Sequence, residues 1–190
     1  HYKEGIVFME VKLMYIDKNK EFSCYEQYLP LISKRRKDKI SRFYFDKDKT
    51  VSLLTGLLIR NEISQRLGII PSDIEFGYGE HGKPYVLNSC DYHFSVSHSG
   101  NAIVFVGDSF PVGIDIEQYG QRVHRVSDRY IRPDEQVESY QEDLTWGLLL
   151  YWSAKETIFK RMENADADFR KLRLAHFIPQ VEGTFQVQEF

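Results

Sequence analysis

The chain has 190 residues, of which 42% are hydrophobic, and a formal net charge of -3. These values indicate one soluble polypeptide with a normal hydrophobic core, and they argue against a dedicated binder of nucleic acid or membrane surfaces. No apolar run approaches the roughly 20 residues that a bilayer requires, and no signal peptide is visible. The two cysteines, Cys24 and Cys90, indicate neither a disulfide framework nor a zinc site, so we expect a cytoplasmic protein. The single chain suggests a monomer.

The first third of the chain predicts one strand followed by two helices. Residues 6–16 are rich in β-branched and aromatic side chains, as strands are. Ser33 is a good N-cap for a helix over residues 34–45, and Asp46 can cap a second, longer helix. Gly68 is then expected to end that second helix.

The second predicted helix carries an apolar stripe, which predicts its buried face. Gly56 lies within this helix, where a glycine costs about 1 kcal/mol relative to alanine, so we expect a close packing contact there. The apolar positions are Val51, Leu54, Leu57, Leu58 and Ile63.

The first predicted helix is strongly basic, since five of the six residues Lys34-Arg35-Arg36-Lys37-Asp38-Lys39 carry positive charge. Such a run is either a solvated helix face or a phosphate site, and the residues alone leave both open.

From residue 74 the pattern changes to short strands separated by glycine and proline turns, one of them at Lys83-Pro84. Residues 92–98 alternate as a strand, and residues 101–106 return as an apolar strand. We place a lobe boundary in the following loop, which divides the chain into residues 1–108 and 109–190.

The stretch Val112-Gly113-Ile114-Asp115-Ile116-Glu117 alternates apolar and acidic residues, which predicts a strand. Asp115 and Glu117 would then lie about 6–7 Å apart on one face. One interpretation is an exposed edge where water screens the two charges. The other is a half-buried pair that binds Mg²⁺, an ion commonly held by one or two carboxylates, waters and phosphates.

A second segment, Trp152-Ser153-Ala154-Lys155-Glu156-Thr157-Ile158-Phe159-Lys160, has helical apolar spacing that extends back through Leu144. On a helix, Trp152, Glu156 and Lys160 lie on one face, which adds a third carboxylate and an amine to the acidic stretch. A short helix is expected before it, entered at Pro133, and residues 181–190 alternate as an edge strand.

These two segments together resemble the 4′-phosphopantetheinyl transferases, in the longer, two-lobed type that activates peptide and polyketide synthases. Three further stretches stand in the family's order, so the resemblance covers about residues 33–160. They are Arg42-Phe43-Tyr44, His81-Gly82-Lys83-Pro84-Tyr85 and Phe94-Ser95-Val96-Ser97-His98-Ser99-Gly100.

The resemblance implies an α+β fold of two similar lobes, pseudo-duplicated, with antiparallel sheets and packed helices and a cofactor cleft between them. It implies coenzyme A as substrate. Arg36 and Lys39 would approach the 3′-phosphate, the backbone at Lys83-Pro84 the adenine ring, and the Ser97-His98 segment a phosphate.

The implied reaction is attack of a carrier-protein serine on the β-phosphorus of coenzyme A, with release of 3′,5′-ADP. Asp115, Glu117 and Glu156 would hold Mg²⁺ against the pyrophosphate, with Asp115 essential for transfer. Glu156, or a water on the metal, would take the serine proton, and Lys160 would stabilise the leaving phosphate. Lys155 would contact the pyrophosphate or form only a salt bridge.

The implied partner is an acyl or peptidyl carrier protein, acidic around its serine. A segment of interleaved basic and apolar residues is a candidate docking surface, with a solvated helix face as the alternative interpretation. The basic members are Arg122, Arg125, Arg129 and Arg132, and Tyr119, Tyr130 and Ile131 lie among them.

Two departures from the family pattern keep other functions open. A family arginine early in the second helix is replaced by Val51, for which Arg60 is a possible substitute, and the Gly-rich turn after Lys160 is replaced by residues 161–168. A non-catalytic coenzyme A-binding or carrier-binding relative is therefore one alternative. A Mg²⁺-dependent phosphoanhydride hydrolase that uses the same site is the other.

Overall fold

The computed structural model describes residues 9–79, 82–89, 91–162 and 168–189. The chain divides into two compact units, residues 1–112 and 113–190, whereas the predicted lobe boundary lies at residues 108 and 109. The described helices and strands of the first unit are β1 (Val11–Tyr15), α1 (Lys34–Ile40), α2 (Asp46–Leu67), β2 (Phe76–Tyr78), β3 (Pro84–Val86), β4 (His93–Ser99) and β5 (Ala102–Asp108). Those of the second unit are α3 (Arg122–Val126), α4 (Leu144–Arg161), β6 (Leu172–Leu174) and β7 (Val187–Glu189).

The first unit is built on an antiparallel sheet in the order β1-β5-β4. The central strand β5 is almost wholly buried, with Ile103 at 0% and Val106 at 1% exposure. Phe94 and Phe105 from this sheet pack with Ile59 of α2 in one core cluster. The two strands predicted on either side of residue 100 are thereby confirmed.

Helix α1 begins as predicted, because the Ser33 hydroxyl accepts a hydrogen bond from the Arg36 N–H at 3.3 Å. It ends at Ile40, earlier than predicted, since Ile40 is its last buried side chain and Tyr44 beyond it is 88% exposed. A helix without an apolar face to bury gains little from continuing.

Helix α2 ends at Gly68, with φ of 68° in the left-handed region that glycine tolerates, which confirms that prediction. Its N-cap is Phe45, so the prediction of Asp46 as the cap was wrong by one residue. The Asp46 carboxylate instead accepts a hydrogen bond from Lys49 at 2.8 Å. The apolar stripe predicted for this helix did not include Leu53 and Ile59, although both are more deeply buried than Leu57, which it did include.

The second unit is organised around α4. Its N-cap is Asp143, whose carboxylate accepts a hydrogen bond from the Thr145 N–H at 2.8 Å. Tyr151 and Ala154 on its inner face pack with Tyr130 and with Leu174 of β6. Strands β6 and β7 pair antiparallel. Both units thus combine helices with antiparallel strands, which confirms the α+β class.

Residues 112–117, all of them described, form no strand, so that prediction was wrong. A Cβ on Gly113 would lie 2.0 Å from the backbone oxygen of Thr157, which means that the segment runs against the backbone of α4. The alternation of apolar and acidic residues in this segment therefore reflects packing against helix α4 and not pairing with another strand.

The helix expected at Pro133 was also wrong, because residues 133 and 134 form a turn and the helix of this region is α3. Five parts of the sequence predictions fall outside the described ranges: residues 6–8, His81, Cys90, residues 163–167 and Phe190. None of the helices within the described ranges has the length and hydropathy to cross a bilayer.

Candidate active site

The acidic segment is held beside α4 by the absence of a side chain at Gly113. A Cβ there would lie 2.0 Å from the Thr157 oxygen and 3.0 Å from the Arg161 nitrogen, both of them backbone atoms of the last turns of α4. A larger residue would push the segment away from the helix. Gly113 therefore sets the distance between the acidic segment and the charged face of α4.

Asp115 and Glu156 share one ammonium group. The Lys160 Nζ donates to Asp115 Oδ1 at 2.6 Å and lies 3.9 Å from Glu156 Oε2. The Asp115 side chain is 4% exposed, whereas those of Glu156 and Lys160 are 21% and 24% exposed. The structure thus brings together three of the predicted site residues, in a group that is partly open to solvent.

Glu117 joins the same face of α4 through Trp152. The Trp152 indole Nε1–H donates to Glu117 Oε1 at 2.8 Å, and Glu117 is exposed. Trp152 is held in turn by edge-on ring contacts with Tyr130 and Phe169, at centroid distances of 5.2 and 5.4 Å. The helical spacing predicted that Trp152 lies on this face, but it did not predict the hydrogen bond from Trp152 to Glu117.

The surroundings of Glu156 change its pKa. Burial raises the pKa of Glu156; the Lys160 ammonium opposes that rise, and the negative charges of Asp115 and Glu117 add to it. Three carboxylates thus lie along this face of α4, with the Lys160 ammonium between Asp115 and Glu156. Among the residues that the structure describes, no set of three or more histidine, cysteine, aspartate or glutamate side chains converges as a metal site. Joint ligation by the three carboxylates therefore stays a prediction.

Lys155 does not belong to this group, and its predicted contact with pyrophosphate is not supported. Its side chain is fully buried, and Nζ donates to the Tyr130 carbonyl at 2.6 Å and to Glu135 Oε2 at 2.7 Å. Of the two expectations for this residue, the salt bridge is the one that the structure shows. Its partner is Glu135, twenty residues earlier in the chain, with which Lys155 shares the core.

In the first unit, Arg36 and Pro84 line one small cavity. Arg36 is half-buried and its Nη1 donates to the Ser52 carbonyl at 3.2 Å. Its stem passes so close to Gly56 that a Cβ there would lie 2.5 Å from the Arg36 Cδ, which confirms the predicted close contact. Burial lowers the pKa of Arg36, with Tyr78 acting against this and Arg60 adding to it. The cavity is lined by Ile32, Ser33, Arg36, Gly56, Ile59, Arg60, Phe76, Tyr78 and Pro84.

The other residues of this unit that were predicted to bind coenzyme A do not line this cavity together. Lys39 is exposed on α1 and Lys83 is half-buried directly before β3. Ser97 and His98 are neighbours on β4, so their side chains point to opposite faces of the sheet, with Ser97 buried and His98 exposed. The structure therefore does not place Ser97 and His98 side by side towards one ligand atom.

Val51, at the position of the family arginine, is part of the hydrophobic core. Val51 is 8% exposed and packs with Ile16 and Ile103. Arg60 donates hydrogen bonds to the carbonyls of Pro71 and Ile74, the latter at 3.2 Å, and burial lowers its pKa. The guanidinium of Arg60 is thus committed to the fold, although the residue lines the same cavity as Arg36.

Two residues that shape the site were missed by the sequence reasoning. Gly113 had a local signal, because a glycine inside an alternating pattern often marks a close backbone approach. Glu135 had none, since its partners Lys155 and Leu174 lie 20 and 39 residues further along the chain.

Comparison with known proteins matches both parts of the chain to one family. Residues 19–110 match the family model of the 4′-phosphopantetheinyl transferase N-terminal region, and residues 111–190 match that of the 4′-phosphopantetheinyl transferase superfamily. A 4′-phosphopantetheinyl transferase of Bacillus subtilis is 31% identical over 156 residues, which are 80% of this chain and 70% of that protein. The gsp transferase of Aneurinibacillus migulanus is 32% identical over 132 residues, which are 68% and 55% of the two chains. The chain therefore belongs to the 4′-phosphopantetheinyl transferase superfamily.

Proposed function

We propose that this protein transfers the 4′-phosphopantetheine group of coenzyme A to a serine hydroxyl of an apo carrier protein, releasing 3′,5′-ADP. The observation that carries the proposal is the shared placement of Asp115, Glu156 and Lys160, with Lys160 Nζ at 2.6 and 3.9 Å from the two carboxylates. A pyrophosphate repels an incoming nucleophile, so a transferase needs positive charge, a proton acceptor and fixed geometry at one place.

The donor chemistry of the acidic group, three carboxylates, is the kind that binds a hard divalent cation. Carboxylate oxygens are the ligands that Mg²⁺ takes from proteins. Burial is the main cause of the raised pKa of Glu156, and the charges of Asp115 and Glu117 add to it. Asp115, Glu117 and Glu156 would hold the ion, which when bound supplies positive charge to the pyrophosphate oxygens.

Glu156 is suited to accept the serine proton. A carboxylate whose pKa is raised by burial and by neighbouring acids is a stronger base than one in water, and 21% exposure leaves it accessible. Lys160 carries positive charge beside it and would stabilise the phosphate oxygen of the leaving group. In the first unit, Arg36 and the Lys83-Pro84 segment would bind the adenosine 3′-phosphate portion, with Lys39 and the Ser97-His98 segment as further contacts.

The acidic carrier would dock on the exposed arginines at α3 and just after it. Arg122, Arg125 and Arg129 are exposed, as is Tyr119 at 45%. Two members of the predicted surface are withdrawn from it. Tyr130 is 0% exposed, and Arg132 is half-buried and bound to Asp134 at 2.7 Å.

One observation favours a weaker second candidate, a coenzyme A-binding or carrier-binding relative without transferase activity. Val51 is in the core and Arg60 is bonded to two backbone carbonyls, so neither supplies the missing arginine of the family pattern. The complete set of Asp115, Glu117, Glu156 and Lys160 favours the transferase, because a binding module would not need all four.

Intact-mass spectrometry of an apo carrier protein separates these functions. After incubation with this protein, coenzyme A and Mg²⁺, we expect the carrier to gain about 340 Da, and EDTA to prevent the gain. Binding of coenzyme A without any gain on several unrelated carriers would favour the binding module. Release of 3′,5′-ADP in the absence of a carrier would indicate a hydrolase.

A further inference from the structure

The second unit buries an ion pair that the proposed reaction does not use. The side chains of Glu135 and Lys155 are both 0% exposed, with Nζ and Oε2 2.7 Å apart. Lys155 also donates to the Tyr130 carbonyl at 2.6 Å. Glu135 accepts two further hydrogen bonds, from the backbone N–H groups of Arg132 and Leu174, each at 2.8 Å. One carboxylate therefore joins α4, the segment before residue 136 and β6.

Stability alone does not account for this pair. Taking two charges out of water costs about as much as their attraction returns, and well-packed apolar side chains of the same volume often serve stability equally well. Apolar side chains do not, however, fix direction. Hydrogen bonds of defined length at one residue of a helix set both its rotation about its own axis and its position along that axis.

We propose that the Glu135–Lys155 pair positions the reactive face of α4. Lys155 directly precedes Glu156, so the two side chains diverge by about 100° around the helix axis. With Lys155 fixed in the core, Glu156 is directed away from the core, and Lys160 follows one turn later beside Asp115. Trp152, one turn before Glu156, is aligned towards Glu117 by the same rotation.

This inference rests on the proposed function, and Glu135 and Lys155 are positioning residues in it, since neither reaches the acidic group. The test is the double variant Glu135→Gln/Lys155→Met, which removes both charges and preserves side-chain volume. We expect it to fold and to keep its KM for coenzyme A within about threefold. Its kcat should fall by about 10²-fold, because a displacement of about 1 Å at reacting groups has effects of that size.

Tyr151→Phe is the matched control. Tyr151 lies on the same buried face of α4, and its hydroxyl donates to the Gln136 carbonyl at 2.9 Å, so the variant also removes one bond between α4 and the segment before it. We expect it to lower thermal stability and leave kcat within about twofold. A double variant with unchanged kcat would overturn the inference, and so would an equal loss in Tyr151→Phe.

A second readout does not depend on activity. In ¹H–¹⁵N NMR spectra, the indole N–H signal of Trp152, assigned with Trp152→Phe, reports the bond to Glu117. We expect this signal to shift or broaden in the double variant, while that of Trp146, near the start of the helix, stays in place. An unmoved Trp152 signal in the double variant would overturn the inference. Absence of transfer by the wild-type protein would count against the proposed function alone, and the NMR test would still apply.

If the double variant does not fold, Glu135→Asp decides the question. It keeps both charges of the buried pair but shortens the carboxylate side chain by one methylene, so the carboxylate cannot keep its bonds to Lys155, Arg132 and Leu174 at their present lengths. We expect at least about a fivefold loss of kcat, with the KM for coenzyme A unchanged, and the same movement of the Trp152 signal. Wild-type kcat together with an unmoved signal would overturn the inference.

Discussion

Lys160 joins the members of the acidic group, because its ammonium lies 2.6 Å from Asp115 and 3.9 Å from Glu156. The carboxylates of Asp115 and Glu156 are buried to different extents. Asp115 is 4% exposed and bonded to Lys160, whereas Glu156 is 21% exposed and has its ammonium neighbour at 3.9 Å. The two carboxylates are therefore suited to different tasks, Asp115 to holding charge in place and Glu156 to exchanging a proton.

Replacing Asp115 with asparagine tests the first task. Asp115→Asn keeps size and an oxygen for Lys160 but removes the negative charge, so we expect kcat for transfer to fall by at least about 10²-fold. The steady-state rate of carrier modification measures this. Asp168→Asn is the control, because the Asp168 carboxylate lies at the surface, where it accepts hydrogen bonds from the backbone and side chain of Arg170, and its activity should stay within about twofold. An active Asp115→Asn enzyme that still requires Mg²⁺ would remove Asp115 from the mechanism.

Replacing Glu156 with glutamine tests the second task. We expect kcat to fall by about 10²–10⁴-fold, the usual contribution of a general base. A loss of less than tenfold, by the same rate measurement, would assign the proton to water or to another residue.

The stability of Glu156→Gln should change in the opposite direction from its activity. Because burial raises the pKa of Glu156 above its ordinary value of 4.5, the folded state disfavours the charged carboxylate. The wild-type protein therefore loses stability as the pH rises from below 4.5 through the raised pKa, and the uncharged glutamine does not. Urea unfolding without metal should show the variant to be more stable near neutral pH and equal to wild type at about pH 4. A larger advantage in acid than at neutral pH would contradict this assignment.

At the scale of elements, the site depends on the close approach of residues 113–117 to α4. Gly113→Ala places a methyl group 2.0 Å from the Thr157 backbone oxygen, a contact that only movement of the segment or the helix can relieve. We expect a loss of about 1–3 kcal/mol in the free energy of unfolding, together with reduced transfer, because Asp115 moves with the segment. Denaturant unfolding and the carrier assay measure the two effects.

Gly183→Ala is the matched control for that change. It lies in the same unit, and a Cβ there meets no atom within 4 Å, so we expect its stability to stay within about 0.5 kcal/mol of wild type. Equal behaviour of the two variants would show that the approach at Gly113 is not what holds the acidic segment.

These elements also show where sequence reasoning succeeds. Ser33 and Gly68 were predicted correctly as helix ends, because a capping hydroxyl or a left-handed glycine acts on atoms within a few residues. The acidic segment was mistaken for a strand because a period of two shows only that alternate residues have different surroundings. It does not show whether the neighbour that creates those surroundings is a strand or, as here, a helix.

Lys155 shows a signal that was present in the sequence. Leu148, Tyr151 and Lys155 follow helical spacing on one face, and all three are buried. This periodicity would indicate a buried Lys155, but the prediction for Lys155 did not use it. The identity of its partner was not predictable, because Glu135 is brought to it by the packing of the whole second unit. The family resemblance predicts which residues take part in the reaction. The packing shows that three of them, Asp115, Glu156 and Lys160, lie together.

At the scale of the whole molecule, the net charge of -3 conceals an uneven distribution, with exposed arginines on and just after α3. The pseudo-duplication of the fold, its cofactor cleft and the lobe boundary stay predictions. The basic surface has a testable consequence, because an acidic carrier approaching any negatively charged protein needs a local patch of the opposite sign.

Reversing two charges on that patch should weaken carrier binding without affecting chemistry. For Arg125→Glu/Arg129→Glu we expect the KM for the carrier to rise by about tenfold, since like charges then face each other, while kcat and the KM for coenzyme A stay unchanged. Added salt should shrink the difference between variant and wild type, because both side chains are exposed and their interactions are screened. Lys18→Glu/Lys20→Glu makes the same change in net charge on exposed residues of the first unit and should leave the carrier KM near wild type. If both double variants raise the KM equally, the carrier responds only to overall charge, and α3 is not its docking surface.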